Sequence, residues 1–273
     1  MMERTRTYAR ALSIAGSDPS GGAGLQADLK TFSALGCYGM TAVVAVVAEN
    51  TVGVTGVHPV PVDFVRGQIR SCLDDIGADA VKIGMLHSAE LIEAVADTLA
   101  PYAIANTVLD PVMVATSGDP LLETDAVDTL RSVLVPRVRV ITPNIPEAEI
   151  LLGEKINGQD ALPDAAEALS QGRRTSVLLK AGHLTDGTVA DVFYNAETGR
   201  ATVLRSERLD TPNTHGTGCT LSSAFAAFLA RGYDLDAAAA AAKAYISAAI
   251  AAGAAYAIGH GHGPVHHFHA WWQ

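Results

Sequence analysis

Short apolar runs alternate with helix-like segments along most of this chain, and the alternation limits the folds open to it. The runs are rich in Val, Ile, Leu and Ala. They predict strands at residues 11–15, 41–47, 80–83, 108–109, 138–141 and 176–179. Between them, helices are predicted at residues 20–35, 61–76, 88–99, 121–134, 146–152 and 160–171. Strands alternating with helices indicate a mostly parallel central sheet with helices on both faces, so we expect an α/β three-layer sandwich.

The remaining elements fit the same architecture. Residues 188–194 and 201–205 flank a Gly-containing turn and predict a β-hairpin, and helices are predicted at 217–230 and 236–253. The nearly continuous apolar run at 41–47 predicts a strand buried on both faces. Ser88 is the predicted N-cap of the helix that follows it. Because the sequence contains no evident repeat or linker, the 273 residues are expected to form a single domain, 1–273.

Charge and cysteine content exclude several function classes. The net charge is −10, which argues against nucleic acid as a partner. The three cysteines are far apart and indicate free thiols in a cytoplasmic protein. No signal peptide is expected, since no long apolar run precedes the first strand. The Ala-rich segment 237–255 contains Lys243, Tyr245 and Ser247, so we expect a buried helix there and no membrane span.

Residues 214–224 are the most informative segment for function. Gly216 and Gly218 flank Thr217 where an extended, Pro-containing segment becomes a helix. Glycine lets the backbone approach a ligand closely, and a helix start offers unpaired N–H groups with partial positive charge. The segment therefore predicts an anion site that suits a phosphate, although a Gly-rich turn before a packed helix would have the same sequence.

Cys219 follows these glycines and is the candidate catalytic base. A helix N-terminus should lower the pKa of its thiol, and a thiolate could accept the proton of an attacking hydroxyl group. The alternative is a small buried apolar side chain, which is how Cys37 and Cys72 are interpreted.

Polar residues follow the predicted strands, where open α/β sheets bind their ligands. Asp110 could help to hold Mg²⁺ or simply start an Asp-Pro turn. Asn144 and Glu147 could serve a ligand or cap a helix, and the motif alone leaves both open. Lys180 ends an apolar strand and could neutralise phosphate charge, with an exposed edge lysine as the alternative. The chain lacks a Walker-type phosphate loop.

Two Gly- or His-rich segments are harder to interpret. Residues 20–24 could close over a ligand or form a mobile turn, and Asp28 beyond them could contact a ligand or face solvent. Five histidines crowd the last fourteen residues. We expect them to be solvent-exposed and without metal, in a tail that docks on the body of the protein through Pro264, Val265 and the two tryptophans.

Taken together, the motifs closely resemble those of the hydroxymethylpyrimidine/phosphomethylpyrimidine kinases of thiamine biosynthesis, in the ribokinase-like superfamily. The motifs that carry the resemblance are residues 15–30, 110–113, 142–144, 179–183, 215–220 and 263–267. The resemblance implies a ribokinase-like fold. It also implies two successive ATP-dependent phosphorylations of 4-amino-5-hydroxymethyl-2-methylpyrimidine in a cytoplasmic protein, which is expected to be a homodimer.

The resemblance also assigns roles to individual residues. Cys219 would be the base, with Gly216, Gly218 and Lys180 completing the catalytic group. Mg²⁺ would be organised by Asp110 and Glu147. The residues implied for ATP are Lys180, Asn144, Thr217 and Gly218, and those implied for the pyrimidine are Gly16, Asp28, Glu49, Met85 and Val112.

One position departs from the family pattern. Glu49 stands where the family commonly has a glutamine that is expected to hydrogen-bond the aminopyrimidine. A carboxylate accepts from the exocyclic amine but cannot donate to a ring nitrogen, so we expect either that nitrogen or Glu49 to carry a proton. Two other functions stay open: a pyridoxal kinase of the same superfamily and a non-catalytic sensor of a pyrimidine or nucleotide.

Overall fold

A computed structural model describes residues 7–113, 126–172, 174–182 and 188–272. Within them, nine strands form one sheet in the order β3-β2-β1-β4-β5-β6-β7-β8-β9. The strands are β1 (Ala9–Gly16), β2 (Cys37–Asn50), β3 (Gly53–Pro59), β4 (Ala80–Ile83), β5 (Thr107–Leu109), β6 (Val140–Ile141), β7 (Ser176–Leu179), β8 (Thr188–Asn195) and β9 (Arg200–Glu207). The pairs from β2 through β7 are parallel, whereas β3, β8 and β9 pair antiparallel. The mostly parallel sheet is confirmed.

Helices cover both faces of this sheet. They are α1 (Gly24–Ala34), α2 (Val62–Asp75), α3 (Ala89–Leu99), α4 (Ala126–Thr129), α5 (Ile145–Leu152), α6 (Leu162–Leu169), α7 (Thr217–Ala230) and α8 (Leu235–Gly253). A π-helical turn (Leu130–Leu134) continues α4, and 3₁₀ turns span Ala100–Tyr102, Val135–Arg137 and Gln159–Ala161.

Alternate residues of the central strands pack into two separate hydrophobic cores, one on each face of the sheet. Leu109, Ile141 and Val177 pack with α2 to α6 on one face. Val108, Val140 and Leu178 pack with α1, α7 and α8 on the other face. The period of two along a strand explains why neighbouring residues enter different cores. The three-layer sandwich predicted from the alternation is therefore confirmed.

The edge beside β2 differs from the expectation. No strand was predicted at residues 53–59, yet β3 pairs antiparallel with the end of β2 there. The prediction that 41–47 is buried on both faces is wrong, because Val46 is 54% exposed. β2 instead alternates between buried and exposed side chains along much of its length.

Most other boundaries agree with the sequence. Ser88 caps α3, as predicted, by accepting from Leu91 N at 3.3 Å. The predicted helix 20–35 begins only at Gly24, because Ser20, Gly22 and Ala23 donate their N–H groups to the Asp18 carboxylate in a tight turn. Residues 121–125 of the predicted helix 121–134 lie outside the described residues.

One helix among the described residues, α8, has the length and mean hydropathy, 1.3, that a membrane span would need. It packs against α7 in the second core. Its Lys243 is buried and forms an ion pair with Asp191 on β8 at 2.7 Å. Such packing is typical of a core helix of a globular domain.

Candidate active site

A cavity of about 710 Å³ opens at the carboxyl ends of the parallel strands. This is the edge at which open α/β sheets bind ligands. All but one of the residues predicted for the site line this cavity: Gly16, Glu49, Met85, Asp110, Val112, Asn144, Glu147, Lys180, Gly216, Thr217, Gly218 and Cys219. His183, at the end of one motif, lies outside the described residues.

The start of α7 forms one wall of the cavity. Gly216 is the N-cap residue with φ 75°, a left-handed conformation that glycine adopts without strain. A Cβ on Gly216 would overlap the carbonyl oxygen of Gly22. The glycine loop (residues 20–24) and α7 therefore approach each other closely. The first N–H groups of α7 lack helical partners and present partial positive charge to the cavity. This geometry suits a phosphate group.

Lys180 follows β7 and Asp110 follows β5, and both side chains lie against the same wall. A Cβ built on Gly218 would lie 3.3 Å from Lys180 Nζ and 3.4 Å from an Asp110 oxygen. Lys180 Nζ donates to Asp110 at 2.9 Å, and Thr142 Oγ1 donates to the same oxygen at 3.0 Å. Burial alone would raise the pKa of Asp110, but the charges of Lys180 and Lys82 hold that pKa below its usual value.

Glu147 joins this group from the start of α5. Asn144 Oδ1 accepts from Glu147 N at 2.9 Å, and Asn144 N donates to Glu147 at 2.8 Å, which makes a capping box. The cap fixes the carboxylate 4.0 Å from Lys180 Nζ. Burial raises the pKa of Glu147 to about 7, against the opposing effect of Lys180. The two interpretations of Asn144 and Glu147 are thus compatible, since both residues cap the helix and line the cavity.

This donor set fits Mg²⁺ better than a transition metal. Within the described ranges, no group of three or more His, Cys, Asp or Glu side chains is placed to hold a metal ion. Asp110 and Glu147 offer two carboxylates at a cavity wall that suits phosphate. Mg²⁺ commonly uses one or two carboxylates together with phosphate oxygens and water.

Part of the cavity lining is apolar. A Cβ on Gly16 would lie 2.8 Å from the Met85 methyl group and 3.7 Å from Val47, so these residues pack closely together. Val112 lines the cavity as well, and Glu49 adds a carboxylate at the end of β2. Apolar walls with one polar group are typical of a site for a small aromatic molecule.

Cys219 also lines the cavity, on the first turn of α7. Its side chain keeps some solvent contact, while dense protein surrounds its other sides. The predicted drop in the thiol pKa is wrong: burial raises the pKa of Cys219 to about 11. Lys82 opposes this rise, whereas the carboxylates of Asp28 and Asp110 add to it. Loss of hydration and these two anions outweigh the charge of Lys82 and the hydrogen bond that the thiol receives from the Gly24 backbone N–H.

Asp28 is the predicted residue that does not line the cavity. It is fully buried and forms an ion pair with Lys82 at 2.9 Å. Ser13 Oγ and Ser223 Oγ also donate to its carboxylate. These partners leave no opening toward the cavity, so neither predicted alternative, a ligand contact or a solvated helix residue, describes Asp28.

Sequence reasoning missed several polar residues of the cavity. Asp18 and His215 form a buried pair at 2.9 Å, and Lys243 pairs with Asp191, whose other oxygen accepts from Ala181 N at 2.8 Å. Lys82 was missed as well. The available signal was weak, because each lies in an apolar run or a motif assigned to another residue.

The C-terminal tail packs behind α7. Pro264 forms a parallel bridge with His215, and Trp271 Nε1 donates to Ala34 O at 3.0 Å. His267 is buried, and its Nε2 lies 3.0 Å from Thr220 Oγ1. The expected docking is found, but the expectation of exposed histidines is wrong for His267. Burial lowers its pKa to about 3, so the ring is neutral.

Comparison with known proteins agrees with this geometry. The family model described as phosphomethylpyrimidine kinase matches residues 18–266. The hydroxymethylpyrimidine/phosphomethylpyrimidine kinase of Escherichia coli is 49% identical over 264 residues, covering 96% of this chain and 98% of that protein.

Two solved structures extend the comparison to the fold. The ADP complex of Bacillus subtilis pyridoxal kinase has a TM-score of 0.87 at 39% identity and covers 97% of this chain and 99% of its own. Phosphomethylpyrimidine kinase from Clostridium difficile has a TM-score of 0.78 at 42% identity, with 88% and 99% covered. By sequence match, fold and site geometry, the chain belongs to the phosphomethylpyrimidine kinase family.

Proposed function

We propose that this protein uses ATP to phosphorylate 4-amino-5-hydroxymethyl-2-methylpyrimidine, first to the monophosphate and then to the diphosphate. The observation that carries the proposal is the convergence in one cavity of Cys219, the N-terminus of α7, the Lys180–Asp110 pair and an apolar part of the lining. A pyrimidine alcohol against this apolar part would direct its hydroxyl group toward Cys219.

The first transfer follows from these positions. The hydroxyl oxygen attacks the γ-phosphorus of ATP, the bond from that phosphorus to the bridging oxygen breaks, and ADP leaves. Cys219 in its thiolate form accepts the hydroxyl proton. The N–H groups at Gly216 to Gly218 and the Lys180 ammonium group stabilise charge on the transferred phosphoryl group.

The remaining ATP contacts are assigned by place in the cavity. Asn144 and Thr217 line it beside Lys180 and Gly218. Asp110 and Glu147 would hold Mg²⁺, which neutralises phosphate charge in such reactions. Asp28 is left out of the pyrimidine contacts because Lys82, Ser13 and Ser223 already occupy its carboxylate.

Gly16, Met85, Val112 and Glu49 form the pyrimidine end in this proposal. The Glu49 carboxylate accepts from the exocyclic amine, and a protonated ring nitrogen supplies a second hydrogen bond to it. Such a two-point contact with a carboxylate favours the protonated pyrimidine. The affinity for the pyrimidine should therefore fall as pH rises.

The direct test is a ³¹P-resolved assay with the pyrimidine alcohol, Mg²⁺ and ATP. Formation of monophosphate and then diphosphate is expected. Cys219→Ala should bind both ligands but lose most turnover, whereas Cys72→Ala, on α2, should retain it. Near-normal turnover by Cys219→Ala would contradict the base role, and absence of ADP formation would favour a non-catalytic sensor.

Pyridoxal kinase activity is the second candidate. It is favoured by the likeness to the pyridoxal kinase of Bacillus subtilis over 97% of this chain. A side-by-side assay of pyridoxal and the pyrimidine alcohol decides between them by kcat/KM. A higher kcat/KM for pyridoxal would overturn the primary assignment.

We also propose a cytoplasmic homodimer that binds neither nucleic acid nor membranes. The net charge of −10 disfavours nucleic acid, and the packed α8 with its internal ion pair disfavours insertion into a bilayer. Sedimentation and vesicle co-flotation of the purified protein test these statements. A monomer, or protein that floats with the vesicles, would contradict them.

A further inference from the structure

A second lysine lines the cavity, on a different strand from Lys180. Lys82 is on β4, fully buried, and lines the cavity together with Cys219. Its Nζ donates to both carboxylate oxygens of Asp28 at 2.9 Å. A Cβ on Gly84 would lie 2.9 Å from this Nζ, so the strand leaves little room for the ammonium group to move.

Asp28 fixes that ammonium group relative to α7. Ser223 Oγ, on α7, donates to Asp28 at 2.6 Å, and Ser13 Oγ on β1 donates to the other oxygen. Ser223 follows Cys219 by four residues, so the two side chains lie one above the other on the same face of the helix. The ion pair therefore lies under the helix face that carries Cys219.

We propose that Lys82 is a positioning residue for the kinase reaction, whose fixed ammonium charge stabilises the thiolate form of Cys219. The proposal rests on the proposed function, because it adds to the base role of Cys219. In the reaction the hydroxyl proton passes to the sulfur, and the resulting thiol later returns that proton to solvent. Lys82 keeps its own proton throughout.

The charges around Cys219 give this proposal a sign. Lys82 faces it from β4, Asp28 from α1, Asp110 from the end of β5 and Lys180 from the end of β7. Burial raises the thiol pKa, Lys82 is the foremost charge that lowers it, and Asp28 and Asp110 raise it. Removing Lys82 should therefore raise the pKa of Cys219, whereas removing Asp28 should lower it.

Several other titratable groups near the cavity are already paired. Asp18 hydrogen-bonds with His215 at the glycine loop, and Lys243 of α8 pairs with Asp191. Behind α7, His267 is neutral. If Lys82 had only a structural role, joining β4 to α1, its replacement would lower stability. Replacing Lys82 and replacing Asp28 would then not shift the pKa of Cys219 in opposite directions.

The experiment measures alkylation of Cys219 by iodoacetamide in a protein whose Cys37 and Cys72 are replaced by alanine. At about pH 8 the rate follows the thiolate fraction. Lys82→Met should slow alkylation about tenfold, and Asp28→Asn should speed it about tenfold, as expected when a nearby charge is removed. Lys82 stays protonated in Asp28→Asn because Asp110 and the thiolate also favour its charge.

Lys243→Met is the matched control, since it removes a lysine from another buried ion pair of the same cavity. It should leave the alkylation rate close to that of the parent. Opposite shifts for Lys82→Met and Asp28→Asn support the proposal. Shifts in the same direction, or none, overturn it.

Folding of each variant is checked by circular dichroism. If Lys82→Met does not fold, Asp28→Asn decides the matter, since an unchanged or slower rate would overturn the proposal. The double variant Lys82→Met/Asp28→Asn removes both charges and should alkylate more slowly than Asp28→Asn, and an equal rate would also overturn it. Because alkylation needs neither ATP nor substrate, its result stands apart from the kinase assignment.

A kinetic arm links the thiol to turnover. In Lys82→Met, kcat should fall at neutral pH and recover as pH rises, with KM for ATP unchanged. An unchanged pH profile would overturn the role of Lys82 in the reaction. If the substitutions change the alkylation rate of Cys219 as expected but the parent protein has no kinase activity, the result would count against the proposed function.

Discussion

Two lysine–aspartate pairs lie beside α7, and they differ in what surrounds them. The Lys180 side chain is 15% exposed, and its partner Asp110 lies at the cavity wall with Glu147 4.0 Å from the lysine. Lys82 and Asp28 are both 0% exposed, and two serines occupy the remaining oxygen positions of the carboxylate. The open pair can exchange partners with a phosphate or a cation, whereas the closed pair can act only through its charge.

The largest expected difference between the pairs is in stability. Lys82→Met leaves the buried Asp28 without its counter-ion and should lower the free energy of unfolding by about 3–5 kcal/mol. Lys180→Met should cost clearly less, because Asp110 can take up water or a proton at the cavity wall. Urea unfolding of both variants measures this.

The double variant Lys82→Met/Asp28→Asn serves as the check on that prediction. It removes both charges and should recover much of the lost stability. Equal losses of unfolding free energy in Lys82→Met and Lys180→Met would show that the two pairs contribute equally to stability, which would contradict the distinction between them.

The next difference is in turnover. Lys180→Met should lower kcat by about 10²–10³-fold, the usual cost of removing one group that stabilises transition-state charge. Lys82→Met should lower kcat less, since it acts on the transition state only through Cys219. Steady-state kinetics with the pyrimidine alcohol and ATP measures both.

Lys155→Met is the control for these kinetics, because Lys155 pairs with Glu149 at the surface and is 81% exposed. It should match the wild-type protein. A loss in Lys82→Met as large as that in Lys180→Met would mean that the closed pair touches the reacting groups directly.

The smallest effect concerns His267 behind α7, and it is seen in the pH dependence of stability. The pKa of His267 is about 3 in the folded protein and 6.5 for an unperturbed histidine, so the unfolded state binds the proton more readily. Its contribution is present above the unfolded value and is lost as pH falls toward 3. The slope it adds in that window is at most about 1.4 kcal/mol per pH unit.

Urea unfolding of His267→Gln at several pH values tests this sign. The variant should lose less stability than the wild-type protein between about pH 6.5 and pH 4. His58→Gln, at an exposed position of β3, should leave the pH profile unchanged. A His267→Gln profile that parallels the wild type would show that folding does not lower the pKa of His267.

Local patterns predicted much of this molecule. The ends of β4 and β7, the start of α7 at Thr217 and the Asn144–Glu147 cap all follow from residues close together in sequence. Polar residues at parallel strand ends must share one sheet edge, which is why the amino-acid sequence alone places Asp110 and Lys180 together. For these features, a short segment contains the whole physical cause.

The failures share a different cause. Asp28 and Lys82 are 54 residues apart, so neither segment shows that the other neutralises it. The thiol pKa of Cys219 depends on burial and on carboxylates from two other elements, and the helix start alone gave the wrong sign. Likewise β3 forms by pairing with the end of β2, and His267 packs against Thr220 of α7 and Tyr245 of α8.

The bridge between His215 and Pro264, with Asp18 on the other side of that histidine, joins both ends of the chain next to the cavity. A polypeptide still on the ribosome therefore lacks part of this assembly until the segment through His267 has emerged. Cutting the chain before Pro264 would remove this brace from His215 and loosen the loop at Asp18 and the start of α7 beside it.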